Sequence, residues 1–183
     1  MPVDPQIQTL LDRAAGVPAT HTLPLAAART QAESRVALMA PPAEIAGVRE
    51  VAIDGPGGQL RLRLYTPRDA GPFPLVVFFH GSGFVLCSLD THDGMCRNLC
   101  AGAAAIVASV DYRLAPEHKF PAGSDDCLYA TRWAAAHSTE LGADRRASPS
   151  PATAQVAIWR RSRHFGCATR AAPNYAPSCC SIR

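Results

Sequence analysis

Two short apolar runs with a helical stretch between them restrict the fold of this chain more than any other feature. Residues 74–79 (PLVVFF) are continuously apolar, which is typical of a strand buried on both faces of a sheet. Residues 93–104 have the pattern of a helix, residues 105–110 (AIVASV) form a second apolar strand, and a further helix is predicted over 123–137. Strands that alternate with helices at this spacing predict an α/β fold, with a parallel sheet and crossover helices.

The residues before this unit predict a hairpin and several helical pieces. Apolar residues alternate through 48–65 around the Gly-Pro-Gly-Gly sequence of 55–58, which predicts a β-hairpin with one buried face. Residues 4–16 read as a short amphipathic helix with Asp4 as its N-cap and a proline at its first position. Residues 17–46 are punctuated by Ala and Pro, and we expect them to be helical in pieces.

The regular pattern ends at Asp144. Residues 145–183 contain no Leu and no acidic residue, show no sustained period, and are rich in Arg, Ser, Pro and Ala, which predicts a disordered tail. All 15 acidic residues precede residue 145, whereas seven of the 18 cationic residues follow it. The net charge of +3 therefore belongs to the tail and not to a folded face, so nucleic acid is not a predicted partner.

The sequence also argues against a membrane protein. No stretch approaches the roughly 20 consecutive apolar residues that a membrane-spanning helix needs. Residues 1–8 are polar and lack the basic and apolar regions of a secretory signal, so we expect a cytoplasmic location and no membrane span.

The cysteine and histidine residues do not predict a metal site. The chain has seven Cys, an odd number, and the i,i+4 pair of Cys96 and Cys100 lacks the second ligand pair that structural zinc needs. We interpret the cysteines as reduced and mostly buried thiols. His92 with Asp90 and Asp93 is a weak metal pattern, for which a hydrogen-bonded network that stabilises a loop is the favoured interpretation.

Three polar stretches follow the predicted strands, and together they carry a family resemblance. They are residues 80–84 (HGSGF), residues 109–118 (SVDYRLAPEH), and the sequence Phe-Pro-Ala with two aspartates over 120–126. A glycine-rich loop after a buried strand lets the backbone turn sharply and approach a ligand closely. The three stretches resemble the hormone-sensitive-lipase-like carboxylesterases, and the similarity covers about residues 48–144; residues 111–117 (DYRLAPE) are its most specific part.

The resemblance implies an α/β-hydrolase fold and hydrolysis of a small acyl ester by a serine nucleophile, without cofactor or metal. Ester cleavage passes through an oxyanion that preorganised backbone N–H groups stabilise. By resemblance these donors are the amides of Gly81 and Ser82, Gly83 gives the turn room, and His80 braces the loop and is not the general base. Ser82 stands where the family commonly has glycine, and a left-handed φ at this position would cost on the order of 1 kcal/mol.

The resemblance also divides the chain. We interpret residues 1–46 as an N-terminal, cap-like helical segment, residues 47–144 as the N-terminal half of an α/β-hydrolase domain, and residues 145–183 as a non-native tail. The charged residues of the specific stretch are interpreted as a structural turn that fixes the chain as it leaves a strand: Asp111, Arg113 and Glu117.

The nucleophile of such an enzyme is missing from the sequence. An α/β-hydrolase needs a G-x-S-x-G elbow followed by an acid and a His, and no G-x-S-x-G occurs in this chain. The family would place the elbow shortly after Asp144, where the composition changes. One C inserted after a GAT codon for Asp144 lets the following codons read D-P-A-R-I-A-V and then A-G-D-S-A-G-G-N-L-A-A-V. These are a buried strand, an elbow and a helix start, so we interpret 145–183 as an out-of-frame tail.

The sequence therefore predicts an ester hydrolase by family that is inactive as written, because it is truncated before its nucleophile. A non-enzymatic fragment of a disrupted gene, a half-enzyme that needs a separate C-terminal partner, and a ligand-binding pseudo-enzyme are the alternatives. Without the strand that leads to the elbow, residues 75–79 are expected to form an exposed apolar edge, which favours aggregation.

Overall fold

A five-stranded sheet with helices on both faces forms the body of the molecule in the computed structural model. The structure describes residues 3–81, 83–143 and 155–158, the last four as backbone alone. The strands are β1 Gly47–Gly55, β2 Gly58–Thr66, β3 Leu75–Phe79, β4 Ile106–Val110 and β5 Gln155–Ile158. The helices are α1 Pro5–Ala14, α2 Leu25–Ser34, α3 Asp93–Ala103 and α4 Ala122–Ala136, with 3₁₀ turns at Thr20–Thr22, Arg35–Leu38 and Asp90–His92.

The predicted hairpin is confirmed as the pair of antiparallel strands β1 and β2. Their register runs from Gly47 opposite Thr66 to Gly55 opposite Gly58, so that two residues make the turn. The alternation of β2 buries one of its faces, with Leu60, Leu62 and Leu64 exposed by 3% or less. Side chains at every second position of a strand point to the same face, which is why the spacing in the sequence predicted this burial.

The predicted parallel unit is also confirmed, and its helices begin and end within one residue of the expected positions. The sheet has the order β1-β2-β4-β3-β5, and β4 pairs with β2 in antiparallel and with β3 in parallel orientation. Helix α3 makes the crossover between β3 and β4. Every residue of β4 is buried, as the continuous apolar run indicated.

The expected exposed edge at β3 is wrong. Strand β5 lies beside β3 in parallel orientation, from Val76 opposite Gln155 to Phe79 opposite Ile158. The backbone groups of β3 on that side are therefore paired, and the edges of the sheet are β1 and β5. The rest of the segment that the sequence predicted as a disordered tail, 145–154 and 159–183, lies outside the described residues.

The core has two parts, one on each face of the sheet. One part joins side chains of β2, β3 and β4 to α4 through Ala130 and Ala134. The other part joins Tyr65 and Phe78 to α3 through its two buried cysteines, Cys96 and Cys100. Burial raises the pKa of the Cys100 thiol to about 11, and both cysteines are outside any disulfide, which confirms their interpretation as buried thiols.

The N-terminal segment is helical in pieces, as predicted. Asp4 caps α1 by accepting a hydrogen bond from the backbone N–H of Gln6 at 2.8 Å. The apolar side chains of Ile7 and Leu11 on α1 are about half exposed, whereas Ala28 of α2 is buried against the rest of the molecule. Within the described residues, no helix has the length and apolar character that crossing a membrane requires.

Candidate functional site

The loop that follows β3 spans residues 80–86, and its described residues 83–85 form a turn. Gly83 and Phe84 both have left-handed backbone conformations, with φ of +65° and +62°. At a non-glycine residue this conformation costs roughly 1–2 kcal/mol. A hydrogen bond from the backbone N–H of Ala115 to the carbonyl of Phe84, at 2.8 Å, stabilises the bend. Ser82, a predicted oxyanion donor, lies outside the described residues.

His80 is buried at the base of this loop, with 3% of its surface exposed. Its ring stacks on Tyr112 at a centroid distance of 4.4 Å, and its carbonyl accepts a 2.6 Å hydrogen bond from the Tyr112 hydroxyl. Its Nδ1 lies 3.2 Å from the Gly81 carbonyl. Burial lowers the pKa of His80 below its ordinary value, so the ring is neutral near pH 7. These contacts suit a residue that braces the loop, as the resemblance implied.

The pattern of His92 with two aspartates is a network of ion pairs. Arg63 lies 2.7 Å from Asp90 and 3.6 Å from Asp93, and Asp93 also pairs with Arg97 at 2.7 Å. His92 Nδ1 lies 2.9 Å from the hydroxyl of the adjacent Thr91. In the part of the chain that the structure describes, no group of His, Cys, Asp and Glu is arranged to hold a metal ion. Both carboxylates therefore have arginine partners, Asp90 in Arg63 and Asp93 in Arg63 and Arg97.

The charged residues of the specific stretch are each paired. Asp111 lies 2.6 Å from Arg61, and Glu117 lies 2.7 Å from Arg29. Arg113 donates to Asp126 from Nε at 2.8 Å and from Nη2 at 2.8 Å, and its backbone N–H donates to the same carboxylate at 3.0 Å. The interpretation of these residues as a structural turn is consistent with the geometry.

The roles of two residues near the loop, Asp126 and Arg29, were not identified from the sequence. The sequence placed Asp126 at the start of a helix, but gave no sign that it is the buried partner of Arg113. It gave no role to Arg29, which joins α2 to residues 85, 115 and 117. The one available signal was an isolated arginine in the alanine-rich sequence of α2, and this signal does not specify a partner.

An open cleft of about 540 Å³ lies between the N-terminal segment and loop 80–86. Its lining is mostly apolar and includes one histidine that the sequence gave no role: Thr20, His21, Leu23, Leu25, Ala28, Gly83, Val85 and Leu86. The cleft is lined in part by the loop that follows the carboxyl end of β3, and ligands of open α/β sheets bind outside the carboxyl ends of strands. The arrangement offers a bent backbone loop at one wall of an apolar cavity.

Comparison with known proteins gives a consistent family. A family model described as the alpha/beta hydrolase fold matches residues 76–148. Esterase LipI of Mycobacterium tuberculosis is 54% identical over 100 residues, which are 53% of this chain and 31% of that protein. Carboxylesterase NlhH of the same organism is 42% identical over 149 residues, 78% of this chain and 44% of that protein.

Solved structures agree with these relatives. A hyperthermophilic esterase from the archaeon Pyrobaculum calidifontis superposes with a TM-score of 0.71 at 42% identity, over 79% of this chain and 47% of that one. A structure described as an arylesterase gives a TM-score of 0.71 at 33% identity, over 79% and 48% of the two chains. This chain therefore spans half or less of the length of these relatives.

Proposed function

Because the chain belongs to the hormone-sensitive-lipase-like carboxylesterase family, with the α/β-hydrolase fold, we propose that residues 47–144 form the oxyanion-hole half of a carboxylic-ester hydrolase. The observation that carries this proposal is the bent loop 80–86, which Tyr112 and Ala115 hold at the carboxyl end of β3 beside an apolar cleft.

In this proposal the backbone amides of Gly81 and Ser82 donate to the oxyanion that develops on the ester carbonyl. His80 braces the loop through its stacked and buried ring, and Gly83 supplies a left-handed position without the cost of a Cβ. Removing one donor from an oxyanion hole costs about 2.7–4 kcal/mol of transition-state stabilisation in a serine protease. The placement of this loop therefore contributes to catalysis and not to substrate binding alone.

The substrate class that fits is a small acyl ester. The leucines at positions 23, 25 and 86 give the cleft an apolar wall suited to an acyl or alkyl group. Acyl transfer to a serine uses protein groups alone, so the proposal includes no cofactor or metal. The proposed location is cytoplasmic, with which the buried free thiol of Cys96 is compatible.

We propose further that the chain as written does not hydrolyse esters, because its sequence contains no G-x-S-x-G elbow. Insertion of one nucleotide after the Asp144 codon restores a serine elbow, which would be encoded across Thr153 and Ala154. A half-enzyme that binds a separate C-terminal half is less favoured, because that half would have to pair with the side of β3 where β5 lies.

The test is to resequence the gene across the Asp144 codon and to express both reading frames. We expect the frame-restored protein to hydrolyse a short-chain nitrophenyl ester, and the 183-residue chain to match the buffer rate. A frame-restored control with alanine in place of the elbow serine should lose the activity. Hydrolysis above the buffer rate by the purified 183-residue chain would refute the proposed inactivity, and an inactive frame-restored protein would refute the proposed esterase.

A further inference from the structure

We infer that Arg29 is a positioning residue that holds loop 80–86 in its bent form and fixes the width of the cleft between that loop and α2. The inference rests on the proposed esterase function, to which it adds a residue outside the segment that resembles the family. It concerns how the oxyanion loop keeps its shape and not which atoms contact the ester.

One guanidinium joins three segments of the chain. Arg29 donates from Nε to the carbonyl of Val85 at 3.0 Å and from Nη2 to the carbonyl of Ala115 at 3.0 Å. It also meets both carboxylate oxygens of Glu117, at 2.7 Å from Nη1 and 2.8 Å from Nη2. Helix α2, loop 80–86 and the turn after β4 therefore meet at one planar group, with four hydrogen bonds in a fixed fork.

The loop needs such support because its backbone is strained. Gly83, Phe84 and Cys87 all have left-handed φ, at +65°, +62° and +69°. The two non-glycine residues adopt a conformation that residues with a Cβ rarely take, so tertiary contacts must hold them there. Ala115 holds the carbonyl of Phe84 on one side of the bend, and Arg29 holds that of Val85 on the other.

In this inference the hydrogen bond from Arg29 to the Val85 carbonyl also fixes the width of the cleft. Val85 of the loop lines the cavity, and so do Leu25 and Ala28 of α2. Because Arg29 belongs to α2 and donates a hydrogen bond to the Val85 carbonyl, it joins two of the segments that line the cavity. A loosened contact would change both the path of the loop and the space available to a substrate.

The ion pair with Glu117 orients the guanidinium. The Glu117 side chain is 51% exposed, and an exposed ion pair contributes little to stability. The hydrogen bonds from Arg29 lower the pKa of Glu117 to about 2, so its carboxylate is ionised throughout the neutral range. The role of the pair is therefore to direct the remaining N–H groups at the carbonyls of Val85 and Ala115.

The experiment compares Arg29→Ala and Arg29→Lys with a matched control, Arg68→Ala. Arg68 also forms an ion pair with the N-terminal segment, at 2.7 Å from Glu44, but both of these side chains are largely exposed. Hydrogen exchange of the peptide that covers residues 83–87 is measured in the 183-residue chain and in the frame-restored protein. We expect at least tenfold faster exchange in both Arg29 variants and no change in Arg68→Ala.

Activity supplies a second readout in the frame-restored protein. We expect kcat for a short-chain nitrophenyl ester to fall at least tenfold in Arg29→Ala and Arg29→Lys, because a lysine ammonium lacks the planar fork. Millimolar guanidinium should restore part of the kcat of Arg29→Ala and leave that of Arg68→Ala unchanged. If Arg29 only stabilised the fold, Arg29→Ala would lower the melting temperature and guanidinium would not restore its kcat.

The outcomes separate the two proposals. Unchanged exchange at residues 83–87 in Arg29→Ala, or an equal increase in Arg68→Ala, overturns the role of Arg29 whatever the activity. Faster exchange in a frame-restored protein that hydrolyses no ester overturns the proposed function and leaves the role of Arg29 in holding the loop intact. Faster exchange with an unchanged kcat overturns the link between this loop and catalysis.

Discussion

Asp126 illustrates at the scale of one residue how a charge is kept inside this fold. Its side chain is 2% exposed, and its two oxygens accept three hydrogen bonds from Arg113, one of them from the backbone N–H. An ionised carboxylate loses its hydration on burial, and only a geometry that replaces those interactions offsets the cost. The pair joins the start of α4 to the turn after β4, close to the base of loop 80–86.

We predict that Asp126→Asn destabilises the protein by about 2–4 kcal/mol, because it leaves the guanidinium of Arg113 without its counter-charge; the partial exposure of Arg113 keeps the loss below that of a fully buried pair. The free energy of unfolding in urea measures the effect. The exposed neighbour Asp125 provides the control, and Asp125→Asn should change stability by less than about 0.5 kcal/mol. Equal effects of the two substitutions would contradict the prediction.

His92 makes the stability of the protein depend on pH. Its burial, with a smaller contribution from the nearby His80, lowers its pKa from 6.5 to about 4. An unfolded chain therefore takes up a proton at His92 as the pH falls below about 6.5, whereas the folded chain does so only near pH 4, and the free energy of unfolding falls across that window.

We predict a loss of about 1–2 kcal/mol from this group between pH 7 and pH 4, a figure that allows for the partial exposure of the ring. Urea denaturation at several pH values measures it, and His92→Gln should flatten the dependence. An unaltered slope in His92→Gln would assign the acid sensitivity to other groups.

At the scale of elements, helices α3 and α4 differ in how closely the rest of the protein packs against their glycines. Gly123, in the first turn of α4, has no room for a side chain: a Cβ there would lie 2.8 Å from the carbonyl oxygen of Arg113 and 3.2 Å from the ring of Phe84. Gly102 of α3 has nothing within 4 Å of the same position. Helix α4 therefore packs directly on the residues that hold loop 80–86, whereas the end of α3 faces open space.

We predict that replacing glycine by alanine changes the stability of the protein in opposite directions at Gly123 and Gly102. Gly123→Ala should destabilise the protein by about 1–3 kcal/mol, because the backbone of Arg113 cannot move aside without disturbing its pair with Asp126. Gly102→Ala should stabilise it by up to about 1 kcal/mol, since alanine favours a helix where nothing obstructs it. Chemical denaturation of both variants is the measurement, and stabilisation by Gly123→Ala would show that α4 lies further from the turn.

At the scale of the whole molecule, the sheet depends on a strand that the sequence did not predict. The outer strand β1 carries charged side chains along an exposed edge, which discourages pairing with other chains. Strand β3 is almost wholly apolar and buried, and β5 pairs with the side of it that β4 leaves open. The β5 backbone therefore keeps the hydrogen-bonding groups on this side of the apolar strand β3 from pairing with another chain.

We predict that a chain ending after Ala143 aggregates, whereas a chain ending after Ile158 is monodisperse at the same concentration, because only the second retains β5. Static light scattering of the two purified truncations distinguishes them. Aggregation of both chains would mean that β5 does not protect β3 in solution, and a monodisperse shorter chain would mean that β3 needs no such protection.

The sequence by itself determined the elements whose signals are local. Alternation over 48–65, the Gly-Pro-Gly-Gly turn at 55–58, and the continuous apolar runs at β3 and β4 depend on neighbours a few positions apart, so periodicity and turn chemistry were sufficient to predict them. The resemblance of residues 80–84 and 109–118 to the carboxylesterase family also predicted where the oxyanion loop lies in the chain.

Only the tertiary structure decided which distant groups meet. Arg29 and Glu117 are 88 residues apart in the chain, yet their side chains are in contact. Arg113 and Asp126 belong to a turn and a helix whose approach depends on the missing side chain of Gly123. The pairing of β5 with the second side of β3 was not predicted either, because strand pairing depends on the path of the whole chain. Local sequence patterns do not specify such contacts, because the packing of the whole chain determines them.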